Sequence, residues 1–475
     1  MTNTVAIIGG GVTGLTAAFR LQQRGVPVTL YEGSGRVGGV IRSVRKDGYL
    51  AEFGPNTILE TSPKIISLVR DLGLESRRMY SDPAADKRYL VRDKKLVEVP
   101  ASPPKFFTSP LFSLNAKLSL LVEPLRRRGD ANKEESVAEF VRRRLGQEFL
   151  DYAINPLVAG IYAGDPERLS VLHAFPKLRE IEQKYGSLIL GQIRGAKERK
   201  NREEISKQEA KKVSFDEGLQ VLTDSLQAKL GGAVRFNTAV TRMEKSADVW
   251  RVTARSANGE STETHSAVLY AGTAYQLADL DLRAPQPLNL KPLAEVRYPA
   301  VASLVLGFRR DQVRHPLDGF GVLIAQIEKF HLLGALFSSS LFPNRAPAGH
   351  VTLTCYVGGV RQPELATRSL DELTNLAVAD LGVLLGVTGR PTFQHHELYR
   401  RAIPQYEVGY GRFKELMNET EVKAPGLFIA GHFREGISLG DSILSGHNVV
   451  ERIVGYLGKS SPAATATTQP TAVTA

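Results

Sequence analysis

Runs of apolar residues near the amino terminus predict a strand, a helix and a second strand. Val5-Ala6-Ile7-Ile8 is continuously apolar, as expected of a parallel strand that is covered on both faces. Leu15 to Leu21 reads as the helix that follows, and Val26 to Tyr31 reads as the next strand. A strand, a helix and a strand in close succession are typical of a βαβ unit, so the pattern predicts an α/β fold.

Period-two patterning returns later in the chain and predicts more β structure. Residues 234–236 and 249–252 alternate apolar with polar positions, which indicates a β-meander. The apolar run at 267–271 predicts a strand that rejoins the first, parallel sheet. Strand candidates between 295 and 400 predict a second, mostly antiparallel sheet, and residues 426–431 predict a last short buried strand.

The turn after the first strand carries glycines at G-x-G-x-x-G spacing. Glycine is needed there for the sharp turn, for close approach of the backbone to a pyrophosphate, and for packing of the helix on its strand. Free N–H groups at the helix start attract phosphate, and an acidic residue after the second strand can accept hydrogen bonds from a ribose. These features predict a Rossmann-type dinucleotide site rather than a plain structural turn. Its predicted residues are Gly9, Gly10, Gly11, Val12, Thr13, Gly14 and Glu32.

The segment after Glu32 decides between a nicotinamide and a flavin dinucleotide. Arg36 followed by Gly38-Gly39 resembles the second motif of FAD-binding amine-oxidase-type flavoproteins, and a nicotinamide-binding unit does not need it. The resemblance implies that Arg36 lies near the diphosphate and that the two glycines let the backbone pass close to FAD. A solvated surface arginine is the alternative. Gly54, Pro55, Asn56 and Thr57 extend the match toward the flavin ring.

A second cofactor-type segment lies at the far end of the chain. The strand at 426–431 is followed by a glycine-bearing loop and a helix that contains Gly446. Backbone N–H groups at such a helix start can face the flavin's pyrimidine end or its ribityl phosphate, although a strand–turn–helix unit without a ligand is the alternative. Segments of this kind at opposite ends predict a discontinuous FAD-binding domain. Further cofactor-binding candidates are Val240, Gly272, Gly431, Gly436, Ile437, Ser438 and Leu439.

Composition narrows the class of protein. The chain has 475 residues, 42% of them hydrophobic, which is enough for a sizeable core. Its one cysteine, Cys355, excludes an intrachain disulfide and is expected to be a small buried residue. The formal charge of +11 favours anionic partners such as carboxylates, phosphates or an acidic lipid surface. No zinc-ligand spacing or basic–aromatic motif accompanies that charge, so we expect neither a metal site nor nucleic-acid binding.

The sequence also predicts where in the cell the protein is located. The first strand begins too early to leave room for a cleavable signal peptide, and no uncharged apolar run reaches the roughly 18–20 residues that span a bilayer. Segment 100–128 combines Phe106-Phe107, Leu111-Phe112 and Leu118-Leu120-Leu121 with an arginine triplet, Arg126 to Arg128. It can rest on an anionic membrane or pack on itself. We expect a cytoplasmic protein, with peripheral contact to the inner membrane face as the open alternative.

Several central motifs identify a narrower resemblance. They are Asn155–Pro166, His173–Pro176, Gly319–Leu323, Leu333–Ser339, Val357–Gly359 and Ile403–Tyr406. With them the chain resembles the oxygen-dependent protoporphyrinogen oxidase family, from about residue 4 to about residue 455. These motifs are more specific than the glycine loop, which all FAD-linked amine-oxidase relatives share.

The resemblance implies a reaction. Members of the family remove six electrons and six hydrogens from a porphyrinogen through FAD and pass the electrons to O2, which gives hydrogen peroxide. The sequence shows no clear catalytic acid or base, and His432 is expected to be structural or adjacent to the cofactor rather than a general base. This absence fits hydride transfer from a meso carbon to flavin N5, in which the protein mainly contributes position. We expect protoporphyrinogen IX as substrate. Coproporphyrinogen III, an amine and a non-catalytic flavoprotein role remain alternatives, and the sequence leaves open a monomer or a homodimer.

The resemblance also implies a substrate site. Its residues are Arg88, Gly160, Leu323, Leu336 and Tyr356. Arg88 matches the family's arginine for a substrate carboxylate, which a planar guanidinium can grip with two hydrogen bonds. Gly160 matches a glycine that lets the pocket wall approach the macrocycle, although a simple helix break is the alternative. Leu323, Leu336 and Tyr356 match positions that line the apolar pocket, and ordinary sheet core is their alternative.

Two aromatic positions depart from the family's pattern. Tyr356 stands where relatives commonly carry an apolar or phenyl side chain, so its hydroxyl needs a partner if it is buried. Tyr399 stands where relatives often have tryptophan near the flavin, and another aromatic ring can still shield the cofactor.

The predicted organisation divides the chain into four parts. Residues 1–86, 213–275 and 400–458 form the FAD-binding domain, and 87–94 with 276–399 form a substrate domain of mixed or antiparallel sheet. Residues 95–212 form a helical insertion that is the candidate for membrane contact. Residues 459–475, rich in Ala, Thr and Pro, are expected to be disordered.

Overall fold

The computed structural model describes residues 3–195, 205 and 209–460. Most of the expected disordered tail, and most of the charge-dense stretch near residue 200, lie outside these residues. The strands are β1 Val5–Ile8, β2 Val28–Tyr31, β3 Arg42–Lys46, β4 Tyr49–Phe53, β5 Ile58–Leu59, β6 Arg78–Tyr80, β7 Lys87–Arg92, β8 Lys95–Glu98, β9 Lys212–Phe215, β10 Val234–Arg235, β11 Ala239–Ser246, β12 Val249–Ser256, β13 Gly259–His265, β14 Ala267–Tyr270, β15 Asp281–Arg283, β16 Val301–Arg309, β17 Gly319–Leu323, β18 Leu332–Leu336, β19 His350–Gly358, β20 Phe393–Tyr399 and β21 Leu427–Ile429.

Helices cover both faces of the first sheet and fill the middle of the chain. They are α1 Val12–Gln23, α2 Pro63–Asp71, α3 Pro103–Thr108, α4 Leu114–Leu121, α5 Val137–Arg144, α6 Gln147–Phe149, α7 Asn155–Tyr162, α8 Val171–Ala174, α9 Pro176–Tyr185, α10 Leu188–Arg194, α11 Gln220–Leu230, α12 Ala274–Asp279, α13 Ser338–Leu341, α14 Leu370–Leu385, α15 Gly411–Lys423 and α16 Leu439–Ser460. None of those within the described ranges is long and apolar enough to cross a bilayer.

The first sheet is parallel and has five strands in the order β10-β2-β1-β14-β21. Val5 pairs with Val28 on one side and with Ala267 on the other. The predicted βαβ unit, the returning strand at 267–271 and the last strand before the terminal helix are therefore confirmed. Apolar side chains are buried on both faces of this sheet, which explains why its strands read as continuous hydrophobic runs.

The second sheet has seven strands in the order β20-β16-β19-β18-β17-β7-β8. All its neighbours pair antiparallel except β7 with β17, which confirms the mostly antiparallel expectation. Cys355 lies in β19 and is fully buried, as expected. One face of the sheet packs against α14 through alternate residues such as Leu304 and Leu353.

Two strands pair with a sheet that belongs to a different part of the chain from the one predicted for them. β8 pairs with β7 and extends the seven-stranded sheet, although we had assigned residues 95–98 to the helical insertion. β15 pairs with β11 in the four-stranded meander sheet, although we had placed it in the substrate part. Both errors have one cause: short strands of three or four residues carry too little periodicity to be detected in a sequence. α16 also continues through residue 460, beyond the predicted start of the tail.

The helical segment is held together by an apolar cluster and a buried ion pair. The rings of Phe112 and Phe149 stack with centroids 4.2 Å apart. The guanidinium of Arg144 pairs with the carboxylate of Glu123, and both side chains are fully inaccessible. The Leu188 N–H also donates to Glu123 at 3.0 Å. Part of the segment that we considered for membrane contact is therefore its own core, because Leu111 and Phe112 are buried.

Candidate active site

The glycine loop forms an open cradle at the start of α1. Gly9 has φ +107°, a value that favours glycine. A Cβ on Gly14 would lie 2.1 Å from the Gly9 carbonyl oxygen, so the helix packs directly against the loop. A Cβ on Gly11 would meet nothing within 4 Å. The first turn of α1 has neither a side-chain cap nor an acidic residue, so its N–H groups are available for an anion such as a diphosphate.

Glu32 is held beside this loop by backbone and hydroxyl donors. Its carboxylate accepts hydrogen bonds from the Gly10 N–H at 2.8 Å, the Ser34 N–H at 2.8 Å and the Ser34 hydroxyl at 2.7 Å. Its own carbonyl oxygen accepts from the Thr238 N–H at 2.8 Å, close to Val240 in β11. A Cβ on Gly9 would lie 3.2 Å from the Gly272 nitrogen. Val240 and Gly272 thus lie near the predicted nucleotide residues.

Arg36 contacts the protein rather than solvent alone. Its guanidinium donates to the carbonyl oxygens of Gly39 at 2.7 Å, Ile41 at 3.0 Å and Val37 at 3.1 Å. Arg36 therefore fixes the double-glycine loop, which the surface-arginine alternative did not anticipate. The Gly38 N–H donates to the Gly10 carbonyl at 2.8 Å. The second motif consequently lies directly against the first.

The carboxy-terminal segment reaches the same place. Thr13 in α1 donates its hydroxyl hydrogen to the Ser442 carbonyl at 3.0 Å. A Cβ on Gly446 would lie 2.3 Å from the Thr13 carbonyl oxygen, so α16 packs closely on α1. The Gly431 N–H is held by the Ser445 hydroxyl at 2.8 Å. The first and last helices therefore share one end of the parallel sheet.

Tyr406 organises the loop before α16, and the sequence interpretation did not include it among the site residues. Its hydroxyl accepts from the Gly436 N–H at 3.1 Å and donates to the His432 carbonyl. Gly436 has φ +130°, and the neighbouring Ser438 hydroxyl accepts from the Asp441 N–H at 3.1 Å. The available signal was the motif Ile403–Tyr406, whose tyrosine is the kind of residue that needs a polar partner when buried.

The segment from Gly54 to Thr57 lies between the cofactor motifs and the second sheet. Gly54 has φ +80°, and its ideal Cβ would lie 2.4 Å from the Val40 carbonyl oxygen. That carbonyl accepts from the Tyr399 hydroxyl at 3.1 Å. Asn56 donates to the Tyr356 hydroxyl at 2.7 Å, so the hydroxyl that departs from the family pattern has its partner. Pro55 and Thr57 are half-buried on either side of Asn56.

The strand register brings the predicted substrate residues to one face of the second sheet. Gly321 pairs with both Arg88 and Leu336. Two residues along, Leu323 pairs with Gly334, which pairs with Tyr356. Paired residues share a face and alternate residues return to it, so Arg88, Leu323, Leu336 and Tyr356 lie on the face opposite α14.

Helix α7 covers part of this face. Gly160 lies inside α7, so the helix-break alternative is wrong. A Cβ at Gly160 would lie 2.4 Å from Leu323 Cδ2, which shows how closely the helix approaches β17. A π-helical turn, Leu150–Ile154, precedes α7. Ala163, in the left-handed conformation at φ +48°, caps the carboxyl end of α7. Turns of both kinds recur at functional sites.

The two arginines that β7 directs to this face have different surroundings. Arg92 donates to Glu148 at 2.5 Å and stacks over the Tyr152 ring. Arg88 is exposed, and no carboxylate within the described ranges forms an ion pair with it. An unpaired guanidinium at the edge of an apolar face is suited to bind a carboxylate from outside the protein.

The pKa shifts of the site residues indicate that the protein contributes by positioning the substrate and not by supplying an acid or a base. Burial lowers the pKa of His432 to about 4, so this imidazole is neutral at physiological pH. Its ring packs edge-on against Tyr298 and Phe433. Burial also raises the pKa of the Tyr356 hydroxyl, which therefore stays protonated. His395 and Glu397 lie on this face in β20, but the described residues of the face form no His–carboxylate ion pair.

Comparison with known proteins identifies the family. Residues 12–454 match the family described as flavin containing amine oxidoreductase. The chain belongs to this family. Its FAD-binding fold and its assignment as an FAD-dependent oxidoreductase follow, and the open cradle at α1 fits a dinucleotide.

Two curated relatives are similar to this flavoprotein over nearly its whole length. Protoporphyrinogen oxidase 2 of Arabidopsis thaliana is 37% identical, with 96% of this chain and 95% of the relative covered. Coproporphyrinogen III oxidase of Bacillus subtilis is 30% identical, with 95% of this chain and 98% of the relative covered. The resemblance to the protoporphyrinogen oxidase family is therefore confirmed.

A solved structure supports the fold independently. A crystal structure from Exiguobacterium sp. 255-15 superimposes with a TM-score of 0.80 at 22% identity, covering 96% of this chain and 99% of the other. Putrescine oxidase also shares the fold, with a TM-score of 0.68 at 16% identity and coverage of 95% and 99%. Both likenesses concern architecture alone, and both confirm the predicted α/β flavoprotein fold.

Proposed function

We propose that this flavoprotein oxidises protoporphyrinogen IX to protoporphyrin IX with O2 as electron acceptor, forming hydrogen peroxide. The observation that carries the proposal is the common sheet face of Arg88, Leu323, Leu336 and Tyr356, which begins beside the Gly54–Thr57 segment. A flat apolar face with one guanidinium at its edge suits a large apolar ring that carries propionates. The motif match and the relatives of 37% and 30% identity support the same substrate class.

FAD, bound by the three glycine motifs, supplies the hydride acceptor for this reaction. The protein's contribution is to place the substrate. The leucines exclude water, α7 limits the depth of the face through Gly160, and Arg88 holds a propionate. No side chain has to take up a proton in the first step, because the pyrrole nitrogen lone pairs stabilise the cation that develops when hydride leaves a meso carbon.

The basic groups favour protoporphyrinogen over coproporphyrinogen III. The latter carries four propionates rather than two and therefore calls for more cations around the ring. Of the arginines that β7 directs to this face, Arg92 is already paired with Glu148, and Arg88 alone is available. Oxidation of coproporphyrinogen III remains the second candidate function, because the relative named coproporphyrinogen III oxidase aligns with 95% of this chain at 30% identity.

The test uses the purified holoprotein. Its visible spectrum is recorded for bound flavin, and porphyrin fluorescence and hydrogen peroxide are then followed in air with each porphyrinogen separately. We expect protoporphyrinogen IX to be oxidised with the higher kcat/KM. Faster oxidation of coproporphyrinogen III reverses the choice of substrate, and a flavin-loaded protein that oxidises neither refutes the proposal.

We further propose that α4 and the turn after it contact an anionic membrane. Leu114, Leu118, Leu121 and Leu125 are 69, 51, 58 and 85% exposed. The first three lie at i, i+4 and i+7, so they form one stripe of the helix. Arg127 and Arg128 are exposed just beyond. A leucine stripe followed by arginines is suited to an interface with acidic headgroups.

Vesicle co-sedimentation tests this contact. At low salt the protein should pellet with vesicles that contain phosphatidylglycerol, and the triple variant Leu118→Ser/Leu121→Ser/Leu125→Ser should stay in the supernatant. Val422→Ser, which removes another exposed apolar side chain (78% exposed) on α15, is the matched control and should pellet normally. Equal behaviour of the wild type and the triple variant contradicts the proposal.

A further inference from the structure

A small hydrogen-bonded group joins the cofactor side of the site to the substrate face. The Asn56 side-chain nitrogen lies 2.7 Å from the Tyr356 hydroxyl oxygen and 3.3 Å from the Gly54 carbonyl oxygen. The Tyr356 hydroxyl lies 3.4 Å from the same Gly54 carbonyl. The three groups belong to β19 and to the turn after β4, which are 300 residues apart in the chain.

This arrangement fixes the orientation of the Asn56 carboxamide. A carbonyl oxygen only accepts hydrogen bonds, so the Asn56 atom that faces Gly54 must be the nitrogen. The same nitrogen donates its second hydrogen to the Tyr356 hydroxyl, which in turn can donate to Gly54. Burial raises the pKa of the Tyr356 hydroxyl, so it remains able to do so over the physiological pH range. Both amide hydrogens of Asn56 are thereby used.

The carboxamide oxygen is then the polar group of the Asn56 side chain that is available to bind a ligand. No donor to this oxygen is present in the part of the chain that the structure describes, and Asn56 itself is half-buried. Asn56 lies where the Gly54 turn meets the face that carries Tyr356. An oxygen in this place can only accept, so it favours a partner with an N–H group.

We propose that Tyr356 is a positioning residue that locks the Asn56 carboxamide with its oxygen toward the substrate, so that the site binds the reduced macrocycle in preference to the oxidised product. This inference rests on the proposed function. A porphyrinogen presents four pyrrole N–H donors and no ring acceptor. A porphyrin has two N–H groups and two imine nitrogens that need a donor, which a locked amide cannot offer.

The lock is specific to the tyrosine hydroxyl. A phenyl ring, one of the side chains that the family resemblance associates with this position, fills the same volume but leaves Asn56 held by the longer contact to Gly54 alone. The amide can then turn and direct its N–H groups to an imine nitrogen. Tyr356→Phe should therefore strengthen product binding more than substrate binding.

The experiment titrates flavin-loaded holoprotein with protoporphyrin IX and follows quenching of the porphyrin fluorescence. Because one neutral hydrogen bond is at stake, the product Kd of Tyr356→Phe should be about three- to tenfold lower than that of the wild type. The double variant Tyr356→Phe/Asn56→Ala should lose this gain. Tyr49→Phe is the matched control, since it removes a part-buried hydroxyl whose bond, among the residues that the structure describes, is to Thr392 at 2.8 Å, and its product Kd should not change.

Each outcome has a defined meaning. Flavin absorbance and the thermal midpoint confirm that each variant is folded and loaded before the titration. If the wild type oxidises protoporphyrinogen and Tyr356→Phe binds product no more tightly, the lock is refuted and the proposed function stands. A gain that persists in the double variant also refutes it, because the amide is then not responsible. A wild type that neither oxidises nor binds a tetrapyrrole refutes both proposals.

Discussion

Backbone groups build the cofactor end of this flavoprotein, whereas side chains on separate strands build the substrate face. At the cofactor end, Gly38 bonds to Gly10 through main-chain atoms, and the cofactor-type segments that follow β2, β1, β14 and β21 come after four consecutive strands of the parallel sheet. At the substrate face, Arg88, Leu336 and Tyr356 come from three strands of one sheet, with Gly321 and Gly334 between them.

The two regions differ in the amino-acid substitutions that each can tolerate. A main-chain cradle depends on the absence of side chains, so any Cβ either collides with the backbone or occupies the space for the cofactor. A side-chain face depends on register, and individual residues can be exchanged as long as the strands stay paired. The cofactor end should therefore fail abruptly when it is substituted, and the substrate face should change gradually. Four substitutions and one control variant test this contrast.

The largest effect is expected for two glycines of the same loop. Gly14→Ala places a Cβ 2.1 Å from the Gly9 carbonyl oxygen, so α1 must move and the cost should be about 3 kcal/mol of unfolding free energy, the upper end of the usual range for overpacking. Gly11→Ala meets nothing within 4 Å and should change the stability of the apoprotein by less than about 0.5 kcal/mol. Its Cβ instead occupies the cradle, so FAD should be lost.

Urea unfolding of the apoproteins and flavin absorbance of the purified proteins measure the two effects. A Gly14→Ala protein as stable as the wild type contradicts the close packing of α1. A Gly11→Ala protein that retains full flavin contradicts the position of the diphosphate at this helix start.

A smaller, graded effect is expected at the substrate face. Arg88→Ala removes one charged hydrogen-bonding group and should lower kcat/KM for protoporphyrinogen roughly 10- to 150-fold, mainly through KM. Lys87→Ala is the control, because Lys87 is the adjacent cation in the sequence but pairs with Asp318 at the other face. Steady-state rates followed by porphyrin fluorescence measure both variants. Equal kcat/KM values for Arg88→Ala and the wild type remove Arg88 from the site.

The smallest effect concerns pH and the loop before α16. The pKa of His432 in the fold is about 4, below its unfolded value near 6.5, so the unfolded chain takes up a proton that the folded protein does not. The contribution of His432 to stability is therefore complete above pH 6.5 and is lost as the pH falls toward 4. Between pH 7.5 and pH 5 the loss should be roughly 1–2 kcal/mol.

His432→Asn should show a correspondingly smaller decrease in urea stability between these two pH values, measured with excess FAD. An unchanged pH dependence indicates that His432 is protonated in the fold and therefore more solvated than its surroundings imply.

The same contrast explains what the sequence could predict. The strand–glycine–helix unit is contiguous, and each glycine has a local physical reason, so β1 was predicted to the residue and β2 to within two residues. The helix α1 was predicted as an element, but it begins three residues before and ends two residues after the predicted segment. The substrate residues were known only through resemblance, because no local pattern states that Leu323 lies beside Gly160 or that Gly321 pairs with both Arg88 and Leu336.

Long-range hydrogen bonds were the least predictable part of the site. The bond from Asn56 to Tyr356 joins positions that share no sequence signal, and the Tyr406 hydroxyl meets Gly436 across thirty residues. Arg36 stays a predicted neighbour of the diphosphate, and its bonds to three carbonyl groups of its own loop were a further contact that the motif did not indicate. The bonds of Tyr356 and Tyr406 follow from tertiary packing between distant segments, and periodicity in a single chain does not record that packing.

The strand order of the parallel sheet has a consequence for synthesis on the ribosome. β1 lies between β2 and β14, and β21 completes the edge only after residue 427 has been made. The seven-stranded sheet and the helical segment are complete in sequence by residue 399, before that edge exists. Until β21 has been synthesised, the edge of β14 in the nascent protein therefore stays unpaired, and the FAD site is complete only after the loop and helix that follow β21 have been made.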